Sequence, residues 1–407
     1  MKKKVLIPAL SLISLVSLGQ EALRSTGDLV SPLDNGDGTV TFQILAPKAS
    51  RVTVTGDFLP TKKVEVGGQS YEQPGVAELS CDAHGVWRYT TGKLAPELYS
   101  YTFSVNDMQM LDPQNVYVSR DVASMSNIFI VSNSEGDRGS LYRVNEVAHG
   151  NVERVWYDSP TLKTHRRMTI YTPPGYDKGS KYPVLYLLHG AGGDEEAWTT
   201  LGRAAQIMDN LISSGRCKPM IVVMPNGNPA CQAAPGEWSR GMYKPSFMES
   251  LTPHTAPVAS MEESFPDIIK YVESHYKVQK SKRSRAICGL SMGGGHSFAI
   301  SKRYPEMFGY VGLFSAGLNI GQRSNEPFYS QLQTDSNVQQ QLSRLFSGKP
   351  QLYFIAIGKT DFLYNQNADL RRYLDDKGYK YEYMETEGGH IWRNWRIYLT
   401  TFAEKIF

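Results

Sequence analysis

Cysteine is scarce in this chain, with four in 407 residues, too few for a disulfide scaffold to hold the fold. Cys81 stands alone far upstream, and Cys288 lies in an apolar run as a small buried hydrophobe. Only Cys217 with Cys231 has the look of a bridge, and sequence gives no distance between their sulfurs. CxxC and HExxH spacings are missing, so no metal site is read. An excess of either charge is missing too. The 43 basic residues face 40 acidic ones, and three of the basic ones are Lys2, Lys3 and Lys4 at the extreme start. So even a balance argues against nucleic acid as the partner.

Apolar runs long enough to span a bilayer are also missing. The run Val5 to Leu18 is about 14 residues, broken by Pro8 and several serines, against the roughly 20 that a spanning helix needs. With its basic start and the small Ser17 and Gly19 before a cut, the segment 1–19 reads as a secretory signal. No Cys sits at the cut to accept a lipid. The expected product is soluble, without a membrane anchor, and periplasmic or secreted.

What the sequence does have is 36 Gly, 22 Pro and 24 Tyr, with 41% hydrophobic and 20% charged residues. That composition excludes disorder, collagen and coiled coil and describes a loop-rich globular protein. Its length predicts two domains. From 20 to 131 short alternating runs recur, such as Thr39-Val40-Thr41-Phe42-Gln43-Ile44 and Tyr99-Ser100-Tyr101-Thr102-Phe103, which predicts an antiparallel, immunoglobulin-like β-sandwich. The segment 132–150 opens on a hydroxyl-rich stretch and reads as a linker. From 151 to 407 the texture changes to apolar strands alternating with helical stretches. The strands are Val184 to Leu188, Met220 to Met224, Ala286 to Leu290, Val311 to Ser315 and Leu352 to Ile357. That alternation predicts a mostly parallel α/β sheet, as in the α/β-hydrolase fold.

Gly289-Leu290-Ser291-Met292-Gly293 fits G-x-S-x-G directly after an apolar run. The chemistry asks for a serine on a strained strand-to-helix turn, where flanking side chains would collide. Chance supplies such motifs, so the strand-turn-helix setting is what gives this one weight. A serine nucleophile needs a base, and His390, in Glu387-Gly388-Gly389-His390-Ile391-Trp392, is the histidine at the right distance beyond it. His296, five residues past the serine, falls on the following helix. The orienting acid should close the preceding strand, which selects Asp361, with Glu387 as its rival. His189-Gly190-Ala191-Gly192-Gly193 follows the strand Val184 to Leu188, where the second oxyanion donor belongs. The backbone N–H groups of Ala191 and Met292 are therefore the expected oxyanion hole, with Gly190 as the neighbour and His189 as structural. Trp198 follows this turn, and Trp238 lies in the long glycine- and proline-rich segment 226–260. Either ring would suit a phenolic group. A segment starting near His149 carries every one of these residues and is expected to fold and cleave a small aryl ester by itself.

Arg166 to Tyr176, Tyr186-Leu187-Leu188-His189-Gly190, Pro219 to Gly227, Gly289 to Gly293 and Gly389-His390-Ile391-Trp392 together resemble the esterase D group of carbohydrate esterase family 1 over about 250 residues. That group holds feruloyl and acetyl xylan esterases. The resemblance implies a serine esterase with Ser291, His390 and Asp361 in the catalytic roles and no cofactor. Its implied substrates are feruloylated or acetylated xylan oligosaccharides, with feruloyl the leading acyl group. The stretches Asp37 to Phe42, Val54-Thr55-Gly56-Asp57-Phe58 and Gly85-Val86-Trp87 resemble the early-set module of glycogen-branching enzymes and isoamylases. In that family the module either binds carbohydrate or braces its neighbour, and Trp87 reads as core. Three other readings stand beside the feruloyl esterase: an acetyl xylan esterase, an enterobactin-type siderophore esterase, and a carbohydrate-binding protein without activity.

Overall fold

In the run Val40–Leu45 the side chains of Val40, Phe42 and Ile44 are buried, and in Val52–Gly56 those of Val52 and Val54. The two-residue period of a pleated strand brings them to one face. The structure is a computed structural model and describes residues 29–66, 69–122, 124–240, 257–320 and 326–407. The segment read as a signal lies outside the described residues.

The N-terminal strands are β1 (Leu33–Asp34), β2 (Val40–Leu45), β3 (Val52–Gly56), β4 (Lys62–Val66), β5 (Gln69–Gln73), β6 (Gly75–Glu78), β7 (Ser80–Cys81), β8 (Val86–Thr90), β9 (Glu97–Val105), β10 (Met108–Met110), β11 (Val118–Asp121) and β12 (Ser124–Val131). One sheet runs β1-β2-β8-β7 and a second β11-β12-β9-β3-β6, with β10 beside β9 and a separate ribbon β4-β5. Phe42, Val54, Tyr101 and Phe103 come from both sheets into one core, so the two form a sandwich. Trp87 belongs to that core, its Nε1 donating to the Ala46 carbonyl at 3.0 Å.

The C-terminal strands are β13 (Asn151–Ser159), β14 (Thr164–Thr172), β15 (Val184–Leu188), β16 (Ile221–Pro225), β17 (Arg285–Leu290), β18 (Tyr310–Phe314), β19 (Leu352–Gly358) and β20 (Glu382–Thr386). They form one sheet in the order β13-β14-β16-β15-β17-β18-β19-β20. From β16 to β20 neighbours are parallel, while β13 and β14 make an antiparallel edge. Its central strands β15 to β19 are buried on both faces. Tyr186 and Leu188 face the helices Met261–His275 and Met292–Arg303, whereas Leu185 and Leu187 face Ala204–Ser213 and Trp392–Ala403. The apolar strands appear within two residues of their expected bounds. The β13-β14 hairpin was hidden by its charges: Arg166 and Arg167 are buried, and Arg167 is held by Glu195 at 2.7 Å, Glu196 at 3.0 Å and Glu237 at 2.8 Å.

The pairing of Cys217 with Cys231, which the sequence leaves open, does not form: the two are separate thiols. Asn228 Nδ2 donates to Cys231 Sγ at 3.2 Å, while Cys217 packs against the core around Leu211, where burial pushes its thiol up to about 12. The segment 132–150 is docked rather than a free tether. Asp137 caps the short helix Arg138–Tyr142, accepting from the Ser140 N–H at 2.7 Å. Leu141 and Tyr142 are buried, and Asn210 Nδ2 donates to the carbonyls of Leu141 at 2.9 Å and Arg143 at 3.0 Å. Leu98 of the sandwich joins the same apolar cluster as Trp198, Trp395 and Leu399, so the two domains share a core.

Candidate active site

Strand β17 delivers Ser291 into a turn with φ +53° and ψ −116°, after which the helix Met292–Arg303 begins. A non-glycine residue held there is strained and persists only where its surroundings fix it. The Ser291 N–H donates to the Phe314 carbonyl at 2.9 Å, and its own carbonyl accepts from Gly317 at 2.9 Å and Gly295 at 3.0 Å. The flanking glycines are required by close approach. A Cβ on Gly293 would lie 2.5 Å from the Leu188 and His189 carbonyl oxygens, and one on Gly289 would lie 2.6 Å from the Gly293 backbone.

His390 sits in the loop after β20, and its Nδ1 lies 2.9 Å and 3.1 Å from the two carboxylate oxygens of Asp361. Asp361 follows β19 and is buried, with Oδ1 also accepting from the Leu363 N–H at 2.9 Å. A carboxylate only accepts, so the shared proton belongs on Nδ1, which leaves Nε2 able to take another. Phe362 packs 4.5 Å from the imidazole, and Trp395 meets it edge-on at 4.9 Å. The rival acid Glu387 instead pairs with Lys359 at the surface. His296 faces Glu262, 3.8 Å away.

Ser291, His390, Gly190 and Ala191 all line one cleft of about 1170 Å³. The turn after β15 comes close to the serine: a Cβ on Gly190 would stand 3.2 Å from Ser291 Cβ. His189 braces this turn from inside. Its Nδ1 donates to the Gly190 carbonyl at 2.8 Å while Nε2 accepts the Gly227 N–H at 2.7 Å, and burial pulls its pKa down. Met292 opens the helix after Ser291, where first-turn N–H groups have no partner within the helix.

The two tryptophans differ from expectation. Trp198 is 1% exposed, its Nε1 donates to the Leu188 carbonyl at 2.9 Å, and Trp392 packs edge-on against it at 5.3 Å. Its ring is core and cannot receive a ligand. Trp238 is half-buried, with the Arg240 guanidinium 5.7 Å from its ring, and does not line the cleft among the described residues. The aromatic walls are instead Phe58 and Tyr99 from the sandwich and Trp392 and Trp395 from the last helix. No local signal marks Phe58 and Tyr99 as site residues, because they reach it only through domain packing.

The sandwich supplies more of the wall, including Asp57, Leu59, Arg120, Asp121 and Val122. Burial pushes the carboxyl of Asp57 up. Among the described residues no cluster of His, Cys, Asp and Glu could hold a metal ion, and no helix is long and apolar enough to cross a membrane.

The Esterase family model matches residues 159–406. An endo-1,4-beta-xylanase/feruloyl esterase of Xylanibacter ruminicola is 28% identical over 386 residues, covering 92% of this chain and 46% of that protein. The chain thus spans about half the length of that curated relative. A solved ferulic acid esterase is 26% identical with a TM-score of 0.50, covering 63% of this chain and 97% of its own. The enterobactin esterase of Shigella flexneri shares the fold across both domains, with a TM-score of 0.59 at 16% identity over 90% of this chain and 92% of its own.

Proposed function

The chain belongs to the Esterase family of carboxylic ester hydrolases, and from that premise we propose that it removes acyl groups, foremost feruloyl, from xylan or arabinoxylan side chains. The observation that carries this reading is the His390–Asp361 pair in the cleft that Ser291 also lines. In it, Ser291 Oγ attacks the ester carbonyl while His390 Nε2 takes the hydroxyl proton, and Asp361 steadies the imidazolium that forms. The N–H groups of Ala191 and Met292 hold the oxyanion. The proton then passes from His390 to the departing sugar hydroxyl, and water repeats the attack on the acyl-enzyme.

Support for the substrate class comes from the relative's xylanase/feruloyl esterase name and from the cleft itself. Its volume of about 1170 Å³ exceeds the roughly 300–1,000 Å³ of a small-molecule pocket, leaving room for sugar residues beside the acyl group. Phe58 and Trp392, both only partly buried, offer aromatic surface to a phenolic ring or a sugar. The reading includes export, on the strength of the basic and apolar start, and an early-set, immunoglobulin-like identity for the sandwich.

Ester release from a feruloylated arabino-oligosaccharide, acetylated xylan and a catecholate trilactone, measured side by side, tests the substrate. Ferulate release should be fastest. Acetate release alone would move the assignment to acetyl xylan esterase, and trilactone cleavage alone to siderophore hydrolysis. In each active case Ser291→Ala should cost about four to six orders of magnitude in turnover. A variant keeping more than about a hundredth of the rate would remove Ser291 from the mechanism, since an intact nucleophile is worth far more than that.

A further inference from the structure

We propose that the β11-β12 hairpin of the N-terminal sandwich is a positioning element for the oxyanion turn 190–194, with Arg120 and Val122 acting through Asp194 and Gly192. The inference rests on the serine esterase reading and adds to it a function for the sandwich in the chemical step itself, apart from any grip on polymer.

Arg120 Nη2 meets Asp194 Oδ2 at 2.5 Å, and the Asp194 side chain is only 4% exposed. Asp194 in turn fixes the backbone that follows the turn: its Oδ1 accepts the Glu196 N–H at 3.0 Å and its carbonyl the Ala197 N–H at 3.1 Å. Within the turn the Gly193 N–H donates to the Gly190 carbonyl at 3.1 Å. Val122 presses on the middle of the same turn. A Cβ on Gly192, whose φ is +78°, would lie 2.7 Å from Val122 Cγ1. Val122 itself has φ +52°, a costly conformation for a β-branched residue unless the packing holds it there. Asp121 and Trp392, two residues beyond His390, line the same cleft. One hairpin thus touches the turn that carries Ala191 and shares a cleft wall with the segment that carries His390.

The oxyanion donors must meet an oxygen that exists only in the transition state, so a small displacement of the turn lowers kcat while leaving ground-state binding alone. The consequence is that even a small ester, too short to reach the sandwich's outer surface, depends on the hairpin.

The test uses the full chain and methyl ferulate. Arg120→Ala should lower kcat by about 10- to 100-fold, below the 100- to 1000-fold typical of deleting an oxyanion donor outright, with KM within about twofold. Arg120→Lys should recover part of the loss. A boronic acid that forms a tetrahedral adduct on Ser291 should lose affinity by the same factor as kcat/KM, while ferulic acid binding holds. Val122→Gly relieves the backbone strain and removes the packing, so it should show the same kcat pattern if Arg120→Ala fails to fold. Arg88→Ala, which breaks an ion pair elsewhere in the sandwich, should leave kcat alone. The proposal is overturned if folded Arg120→Ala and Val122→Gly turn over methyl ferulate within about twofold of the parent, or if Arg88→Ala lowers kcat as much as they do. Should Ser291→Ala itself stay active, the underlying reading fails instead.

Discussion

Arg396 of the last helix and Glu97 of the sandwich form an ion pair of 3.1 Å with side chains 2% and 1% exposed. The same Arg396 guanidinium donates to the Leu98 carbonyl at 3.0 Å and to the Leu201 carbonyl at 3.1 Å, and lies over the Tyr142 ring. A buried charge of each sign thus sits on the boundary between the two domains, flanked by the shared apolar cluster.

Removing one partner strands the other. Arg396→Met should destabilise the chain by about 3–5 kcal/mol, because Glu97 loses its buried counter-charge and keeps only the half-exposed Arg138, 4.0 Å away. Adding Glu97→Gln should restore a good part of that. Thermal melting of the three proteins checks it, and equal melting temperatures for parent and Arg396→Met would refute it. For the same reason a chain beginning near His149, which the sequence alone presents as self-sufficient, should melt well below the full protein, having lost Glu97, Leu98, Leu141 and Tyr142.

Asp361 and Glu387 should separate cleanly. Asp361→Asn keeps the shape but offers His390 the wrong partner for its Nδ1 proton, which should cost about four orders of magnitude in kcat. Glu387→Gln breaks only an exposed pair with Lys359 and should leave kcat within a factor of a few, as exposed pairs contribute little. Initial rates on methyl ferulate with both variants decide it. A greater loss in Glu387→Gln at unchanged melting temperature would reverse the assignment.

Trp198→Ala should act on stability and not on selectivity. A fully buried tryptophan cut to alanine costs about 3–5 kcal/mol, and here it also leaves the Leu188 carbonyl without its donor. The ratio of ferulate to acetate ester turnover, measured well below the melting point, should stay that of the parent. A clear change in that ratio would return Trp198 to the acyl site.

His189 gives the protein an acid-sensitive brace. Burial holds its pKa below the ordinary 6.5, and its two hydrogen bonds need the neutral ring. As the pH falls below that value the unfolded chain takes up a proton the folded one refuses, so this contribution to stability is lost on acidification. His189→Gln removes the linkage. Its stability deficit relative to the parent should therefore narrow between pH 7 and pH 5, by up to about 1.4 kcal/mol per pH unit below 6.5. Urea titrations at the two pH values measure it, and a constant deficit would argue that the folded ring does protonate.

The sequence by itself determined whatever rests on local pattern. The period-two runs from Val40 to Phe103 and the apolar runs from Val184 to Ile357 fix strands because burial on one face or two is written in neighbouring residues. Gly289 and Gly293 are legible around Ser291 because a strained turn between strand and helix admits no larger side chain there. The order of Ser291, Asp361 and His390 follows from the chain path of such a sheet. Tertiary structure alone decided what depends on elements distant in the chain. The burial of Arg166 and Arg167 has no local signal and is settled by Glu195, Glu196 and the sheet that enclose them. Trp198 reads as a ligand platform until Trp392 and the Leu188 carbonyl claim it. Arg120, Asp121 and Val122 carry no motif at all, and they come to bear on the oxyanion turn only because the buried Glu97–Arg396 boundary packs the sandwich against the hydrolase. The Arg120–Asp194 contact spans 74 positions and is set by the packing of one domain on the other, which no local period records.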